Sequence, residues 1–500
     1  MTAGWNLTQT YADLPPAFHA ATPTAKFSNP KLVWFNRPLA TQLGLRPDDA
    51  DDGQWASWFA GQSHPDFETN PTFLAMAYAG HQFGGFTMLG DGRAMLIGEQ
   101  VGPGDHQSGD RYDIQLKGGG RTPFARRGDG LAVLGPMLRE AIMAESIHAL
   151  GIPTTRSLAV VTTGDPVFRN GPEPGAVLTR VATSHLRVGT MQYAAARGSE
   201  GDADCHADQI TLADYIIDRH HRDLSGAAPA DRYLQLLQRT IDQQSDLIAR
   251  WMSIGFIHGV MNTDNMALSG QTIDYGPCAM MDRYDPATVF SSIDTGGRYA
   301  YQNQPSIAHW NLTRFAESLI PIIASQTGPP TESEIQTAIE SATETLATFP
   351  DRYQQQYDTC FARKIGFESA DDVTRSLVTD LLDHLQTQQL DFIGAFRSLS
   401  GDHPLAPESW LDRWRQHQQE QAIAPETIRQ ILQTTNPAVI PRNAAVEHAL
   451  TAATAGDLAP LETLSNLLQT PFNAPPKNID PTITHPPPKN APRHQTYCGT

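Results

Sequence analysis

Two side chains suited to gripping a metal on phosphates, Asn265 and Asp274, and the acid Asp264 fall within one short stretch, GFIHGVMNTDNMALSGQTIDYG (255–276). A carboxylate and an amide oxygen are the hard donors that Mg²⁺ accepts alongside water and phosphate oxygens. Asp264, directly before Asn265, is placed to take or to orient a proton on a group brought to such a site. Positive charge comes from a second set of residues. Lys117 ends the alternating segment RYDIQLK, and the loop GGGRTPFARRGDG after it carries Arg121, Arg126 and Arg127. Glycines let the backbone approach an anion closely, and arginine forks match phosphate oxygens. The same loop is also readable as a solvated basic turn. LGDGRA (89–94) offers a smaller version, with Arg93 beside two glycines; a simple hairpin turn is the alternative there.

The order of these groups follows a known phosphate-transfer layout. Protein kinases carry His-Arg-Asp, four residues, Asn, and then Asp-Phe-Gly. Here His258-Gly259-Val260 and Asp274-Tyr275-Gly276 stand in those places. Val260 occupies the base position and cannot take a proton, which leaves Asp264 as the nearest acid. Glu140 lies on a predicted helix (134–150) soon after the strand that ends in Lys117, where kinases place the glutamate that pairs with the strand lysine. A surface ion pair with a neighbouring arginine is the other reading of Glu140. Arg180 and Arg187 fall where the chain crosses beside such a cleft. Cys205, His206 and Asp208 lack the second ligand pair that a zinc site needs.

The elements that must position these groups are legible from periodicity. Residues 1–30 read as irregular and polar. NPKLVWFNRPLATQLGL gives a strand and a short amphipathic helix, and residues 73–86 a helix running into a glycine turn. Strands are predicted at 95–101, 111–117, 156–163 and 175–183, and helices at 210–222, 231–254 and 309–323. Residues 197–209 read as an acidic loop, and a long irregular segment follows Gly276. From Thr331 to about Leu468 the text is helical without a catalytic pattern. The tail from Pro471 is too proline-rich for regular structure. It ends in Cys498, whose thiol is either redox-active or incidental.

Composition narrows the class. A formal net charge of −18, from 36 basic and 54 acidic residues, argues against a general nucleic-acid binder, which shows a basic face. No run approaches the roughly 20 apolar residues of a membrane span, and no leader is evident. Four cysteines in 500 residues are no disulfide scaffold, so a reducing cytoplasm is expected.

YAGHQFGGF, LGDGRA, QLKGGGRTPFARRGDG, SHLRVG, HGVMNTDNM, DYGP and the terminal Cys-Gly-Thr together resemble the selenoprotein O family, YdiU in bacteria. The resemblance covers about 29–330 and the last residues. It implies an α+β, atypical protein-kinase-like two-lobed fold with a mostly helical C-terminal lobe and extension. The expected divisions are an N-terminal segment (1–85), a nucleotide-binding N-lobe (86–190), a C-lobe with the catalytic and metal-binding loops (191–330), a helical extension (331–470) and a Pro-rich tail (471–500). It implies AMP transfer from ATP to Ser, Thr or Tyr hydroxyls of proteins. ATP is then flipped, with pyrophosphate leaving. Nucleotide contacts map onto Gly90, Gly92, Arg93, Lys117, Asp129, Gly130, Arg180, Arg187 and Asp274. The metal ligands map onto Asn265 and Asp274, for Mg²⁺ or Mn²⁺, the base onto Asp264, and the lysine's support onto Glu140. In some relatives the terminal thiol pairs with a cysteine near the activation loop; here that would be Cys278 with Cys498. The expected partners are protein substrates, with neither nucleic acid nor membrane, and the chain is expected to be a monomer. UMP transfer with Mn²⁺, an ordinary small-molecule or protein kinase, and an inactive nucleotide-binding scaffold remain the alternatives.

Overall fold

The computed structural model describes residues 2–66, 72–103, 111–169, 171–199 and 204–497. Ala94–Val101 is buried along its whole length, and Arg111–Lys117 and Pro172–Ala182 nearly so. Strands buried on both sides need a cover on each face, and the chain supplies two different ones. These strands form the middle of a nine-stranded sheet, whose path runs His19–Pro23, Thr72–Met76, Ala94–Val101, Arg111–Lys117, Pro172–Ala182, Arg156–Phe168, Lys31–Phe35. Every neighbouring pair on it is antiparallel. On one face Met95, Ile97, Ile114, Leu116 and Val161 pack against Leu39, Trp55 and Phe59, from helices Arg37–Gln42 and Asp52–Phe59. On the other, Val160, Ala176 and Leu178 meet Leu138 and Ile142 of helix Leu134–Ala149. Val446, Leu450 and Leu464 of the far C-terminal helices complete that layer.

The predicted central elements form where expected, as a mixed α and β structure with a helical C-terminal part. Two expectations fail near the N-terminus. Residues 73–86 are not helical: they form strand Thr72–Met76 and then a hairpin of Ala79–Gln82 with Gly85–Met88. Thr72–Met76 bonds to His19–Pro23 and aligns Leu74 with Leu96, so sheet pairing overrides the local helical pattern. Residues 1–30 are also ordered, with strands Leu7–Thr8 and His19–Pro23 and with Trp5, Tyr11 and Phe18 buried. The buried carboxylate of Glu99 holds this segment, accepting hydrogen bonds from Thr8 Oγ1, Thr10 N, Thr10 Oγ1 and Tyr11 N. Helix Cys205–His220 starts inside the expected loop; there Asp208 pairs with Arg197, and His206 contacts the Ser325 carbonyl.

Helix Pro229–Ile254 buries Leu237, Ile241, Ile248 and Trp251 as predicted, and Gly255 caps it in a left-handed conformation. That cap turns the chain into the stretch holding Asp264, Asn265 and Asp274. The proline-rich tail carries only the short helix Pro481–Thr484, yet it is seated. Arg283 donates to the Pro487 carbonyl, Thr496 bridges to Ser291, and Thr496 Oγ1 donates to the Pro277 carbonyl at 2.6 Å. No described helix is long and apolar enough to cross a membrane.

Lys364, at the end of helix Phe349–Lys364, is 1% exposed. Its ammonium donates to Asn436 Oδ1 at 3.0 Å and lies over the rings of Phe396 and Phe392. Burial pushes its pKa down to about 7, with Cys360 opposing weakly. A lysine whose folded value lies below its unfolded value of about 10.4 makes the folded state gain stability as pH rises between the two. Below about 7 the full cost of burying the charge is present. Replacing Lys364 by Met is therefore expected to remove a pH-dependent contribution of order 4 kcal/mol between pH 7 and 10. Urea midpoints of the wild type and variant across that range check it; parallel curves would contradict it.

Candidate active site

Lys117 is the last residue of its strand, and its ammonium is 2.6 Å from Glu140 Oε2 and 2.8 Å from Asp274 Oδ1. The glutamate comes from helix Leu134–Ala149, so a strand, a helix and a loop meet on one nitrogen. Burial would raise both carboxyls. Lys117 and Arg180 overcome this for Glu140, and Lys117, Arg180 and Arg93 hold Asp274 far below the usual carboxylate range. Arg180 Nη1 also reaches Glu140 Oε1 at 3.2 Å, and its Nη2 donates to Gln115 Oε1. Glu140 is thus a buried partner of the lysine, not a surface ion pair.

Arg187 is fixed on three sides. Its Nη1 donates to the Asp264 carbonyl at 3.1 Å, its Nη2 lies 3.5 Å from Asp91 Oδ1, and its guanidinium covers the Tyr78 ring at 4.4 Å. Burial works against its charge, but Tyr78, Asp91, Asp264 and Asp274 outweigh that and keep it firmly protonated. Arg93, Lys117, Arg180 and Arg187 with Asp264, Asn265 and Asp274 line one cavity of about 230 Å³. Four cations on a cavity of that size create a strong local site for phosphate in an acidic protein.

Asp264 sits on a short 3₁₀ turn, Thr263–Asn265. Its Oδ1 is buried without a hydrogen-bond partner. Burial raises its carboxyl to about 6, against the pull of Arg187. Asn265 Nδ2 donates to the Val260 carbonyl at 2.9 Å, which leaves its Oδ1 as the free acceptor. Asp274 is held with φ +67°, a left-handed conformation that costs a non-glycine residue energy and marks functional sites when it persists. His258 fixes the loop's base: it donates to the Ile273 carbonyl at 2.8 Å and stacks on Trp251.

The other candidate residues divide. Gly92 lines the cavity; Gly90 adjoins it, packed so tightly that a Cβ there would lie 2.4 Å from Phe124. Asp129 and Gly130 do not line the cavity. Arg169 holds the Asp129 carboxylate in a fork, 2.8 and 3.1 Å, and Gly130 packs on the Gly120 backbone. Cys498 lies outside the described residues. Its proposed partner Cys278 is fully buried, and burial pushes the thiol up to about 12. Sequence reasoning missed Tyr78, Asp91 and Gln115, although YAGHQFGGF and LGDGRA contain the first two; a lone tyrosine or turn aspartate carries no chemical signature. The larger cavity, about 680 Å³ between the tail and Met281–Phe290, holds none of these groups.

No cluster of three or more His, Cys, Asp or Glu side chains suited to a metal occurs among the described residues. The site nevertheless fits a hard divalent cation that takes part of its shell from phosphate and water. It offers the ionised Asp274 carboxylate and the Asn265 amide oxygen.

Known proteins share this arrangement of sequence. Residues 3–469 match the family described as Protein adenylyltransferase SelO. A "Protein nucleotidyltransferase YdiU" of Shouchella clausii (strain KSM-K16) is 50% identical over 459 residues, 90% of either chain. One of the same description from Bacillus thuringiensis (strain Al Hakam) is 47% identical over 506 residues, 99% of either chain. With that match running across nearly the whole chain, the protein belongs to the SelO family and is a nucleotidyltransferase.

Proposed function

We propose that the protein transfers AMP from ATP to Ser, Thr or Tyr hydroxyls of other proteins and releases pyrophosphate. The observation that carries this reading is the join of four cations, two metal-type oxygen donors and one unpartnered acid around a single cavity. In this reading the scaffold is kinase-like. Residues 86–190 and 191–330 are its lobes, and 1–85 extends the sheet of the first. The stretches 331–470 and 471–500 are the helical extension and tail.

The residues divide the work as follows. Lys117, Arg180, Arg187 and Arg93 balance the triphosphate. Asn265 and Asp274 hold Mg²⁺ or Mn²⁺, which when bound neutralises charge developing on the phosphates. The acceptor oxygen forms its bond to the α-phosphorus as the bond from that phosphorus to the bridging oxygen breaks. The hydroxyl proton passes to the Asp264 carboxylate, and the electron pair leaves on pyrophosphate. Asp264 suits the role because it lines the cavity and burial raises its carboxyl to about 6, which makes it a better proton acceptor than an ordinary aspartate. Glu140 touches no substrate; it positions Lys117.

Two outcomes follow. With ATP labelled at the α- or the γ-phosphate, label on protein is expected from the α position only and is lost in Asp274→Ala. Label from the γ position alone would restore an ordinary kinase, and preferential labelling from α-labelled UTP with Mn²⁺ would make the group UMP. Replacing Asp264 by Asn is expected to lower turnover by about 10²–10⁴-fold while nucleotide affinity, read by calorimetry, changes little. Undiminished turnover would remove Asp264 from proton transfer.

A further inference from the structure

The hairpin of Ala79–Gln82 and Gly85–Met88 is built onto the acid-bearing turn. His81 N donates to Thr263 Oγ1 at 2.7 Å, and Phe83 N donates to Asn262 Oδ1 at 3.2 Å. Gly80 lies so close that a Cβ would stand 2.3 Å from Asp264 Oδ1. The Gln82 side chain also bonds to the Asp264 carboxylate. The hairpin therefore packs directly on the turn that carries Asp264.

Its tip is costly. Phe83 and Gly84 both have positive φ, 50° and 90°, as a tight two-residue hairpin turn requires. Asparagine or glycine is the usual first residue; a phenylalanine there is strained, because its Cβ crowds the following carbonyl oxygen. The strain is not offset by burial, since Phe83 remains 41% exposed and Phe86 46%. A strained, exposed phenylalanine next to a second exposed one, on a hairpin packed against the Asp264 turn, points to recognition rather than folding.

Basic groups stand at both ends of the hairpin. At the tip Arg298 stacks over Trp310 at 4.9 Å, and its Nη2 lies 4.0 Å from where a Gly84 Cβ would stand. No carboxylate forms an ion pair with Arg298 among the described residues. Trp310 in turn meets His81 edge-on. At the open end of the hairpin, where Met88 pairs with Ala79, Arg126 donates to the Met88 carbonyl at 2.7 Å, with Arg121 and Arg127 exposed on the same loop. In a chain of net charge −18, a hairpin with an exposed apolar tip and cations at both ends fits an acidic partner.

We propose that this hairpin face docks the acceptor: a polypeptide segment whose hydroxyl residue is flanked by Asp or Glu. An apolar side chain of the segment packs on Phe83 and Phe86, and its carboxylates meet Arg298 and Arg126. The proposal rests on the transfer reading above and specifies its substrate class.

The test uses the full chain, α-labelled ATP and three synthetic peptides that differ only in the residues flanking one tyrosine: Glu, Ala or Lys. The Glu-flanked peptide is expected to show a KM at least 10-fold below that of the Lys-flanked one. Arg298→Glu is expected to erase or invert that order. Phe83→Gly, which keeps the turn and relieves its strain, is expected to raise the acceptor KM about 5–10-fold while the KM for ATP holds. Equal KM values for the three peptides, or an unchanged acceptor KM in Phe83→Gly, overturns the docking face. Pyrophosphate release without peptide separates the two levels. If it persists while no peptide is labelled, docking alone is wrong; if ATP is not split at the α-phosphate at all, the transfer reading falls with it.

Discussion

The Lys117 ammonium is the constraint on which the rest depends. It joins Glu140 from a helix and Asp274 from a loop far along the chain to the end of a central strand. Withdrawing one partner from such a buried group leaves uncompensated charge, a loss of about 3–5 kcal/mol. The sheet, the helix and the Asp-Tyr-Gly loop therefore hold one mutual position before any ligand arrives. The covers on the two sheet faces serve this arrangement. N-terminal helices press on one side, and helix Leu134–Ala149, backed by the far C-terminal helices, presses on the other.

What could be seen in the sequence was what has a chemical type. Lys117, Glu140, Asn265 and Asp274 stand in an order that phosphate transfer requires, and the cavity gathers three of them with Glu140 directly behind the lysine. The strands at 95–101 and 111–117 and the long helix into Gly255 were legible because their periods are unbroken. Residues 73–86 were not, because FLAMAYA suits a helix locally and only the distant strands His19–Pro23 and Ala94–Val101 make it extended. Residues 1–30 looked polar because Trp5, Tyr11 and Phe18 are spaced singly and are buried by partners outside the segment. Tyr78 and Asp91 acquire meaning only through Arg187, which lies a hundred residues away and leaves no trace near them.

The relocation of the acid has a geometric counterpart. Val260 is buried and closes one side of the loop, while its carbonyl orients Asn265. Asp264 rises on the next turn, under the hairpin, with its backbone carbonyl held by Arg187. Arg187, a cation of the cavity, therefore also fixes the backbone under the acid, so a change at one moves the other. Gly80 is what permits this closeness, since any larger residue would occupy the space of the carboxylate oxygen.

The hydrogen bond from Thr496 to the Pro277 carbonyl spans 219 positions. During synthesis the segment after Asp-Tyr-Gly emerges long before the tail residues that brace it. Domains form in the order in which the ribosome delivers them, and contacts this distant in sequence form late. The loop after Asp274-Tyr275-Gly276 is therefore pinned among the last events of assembly. A nascent chain carries its cavity residues early but lacks the brace on that loop until the tail has emerged. Timing of maturation is in this way written into the path of the backbone.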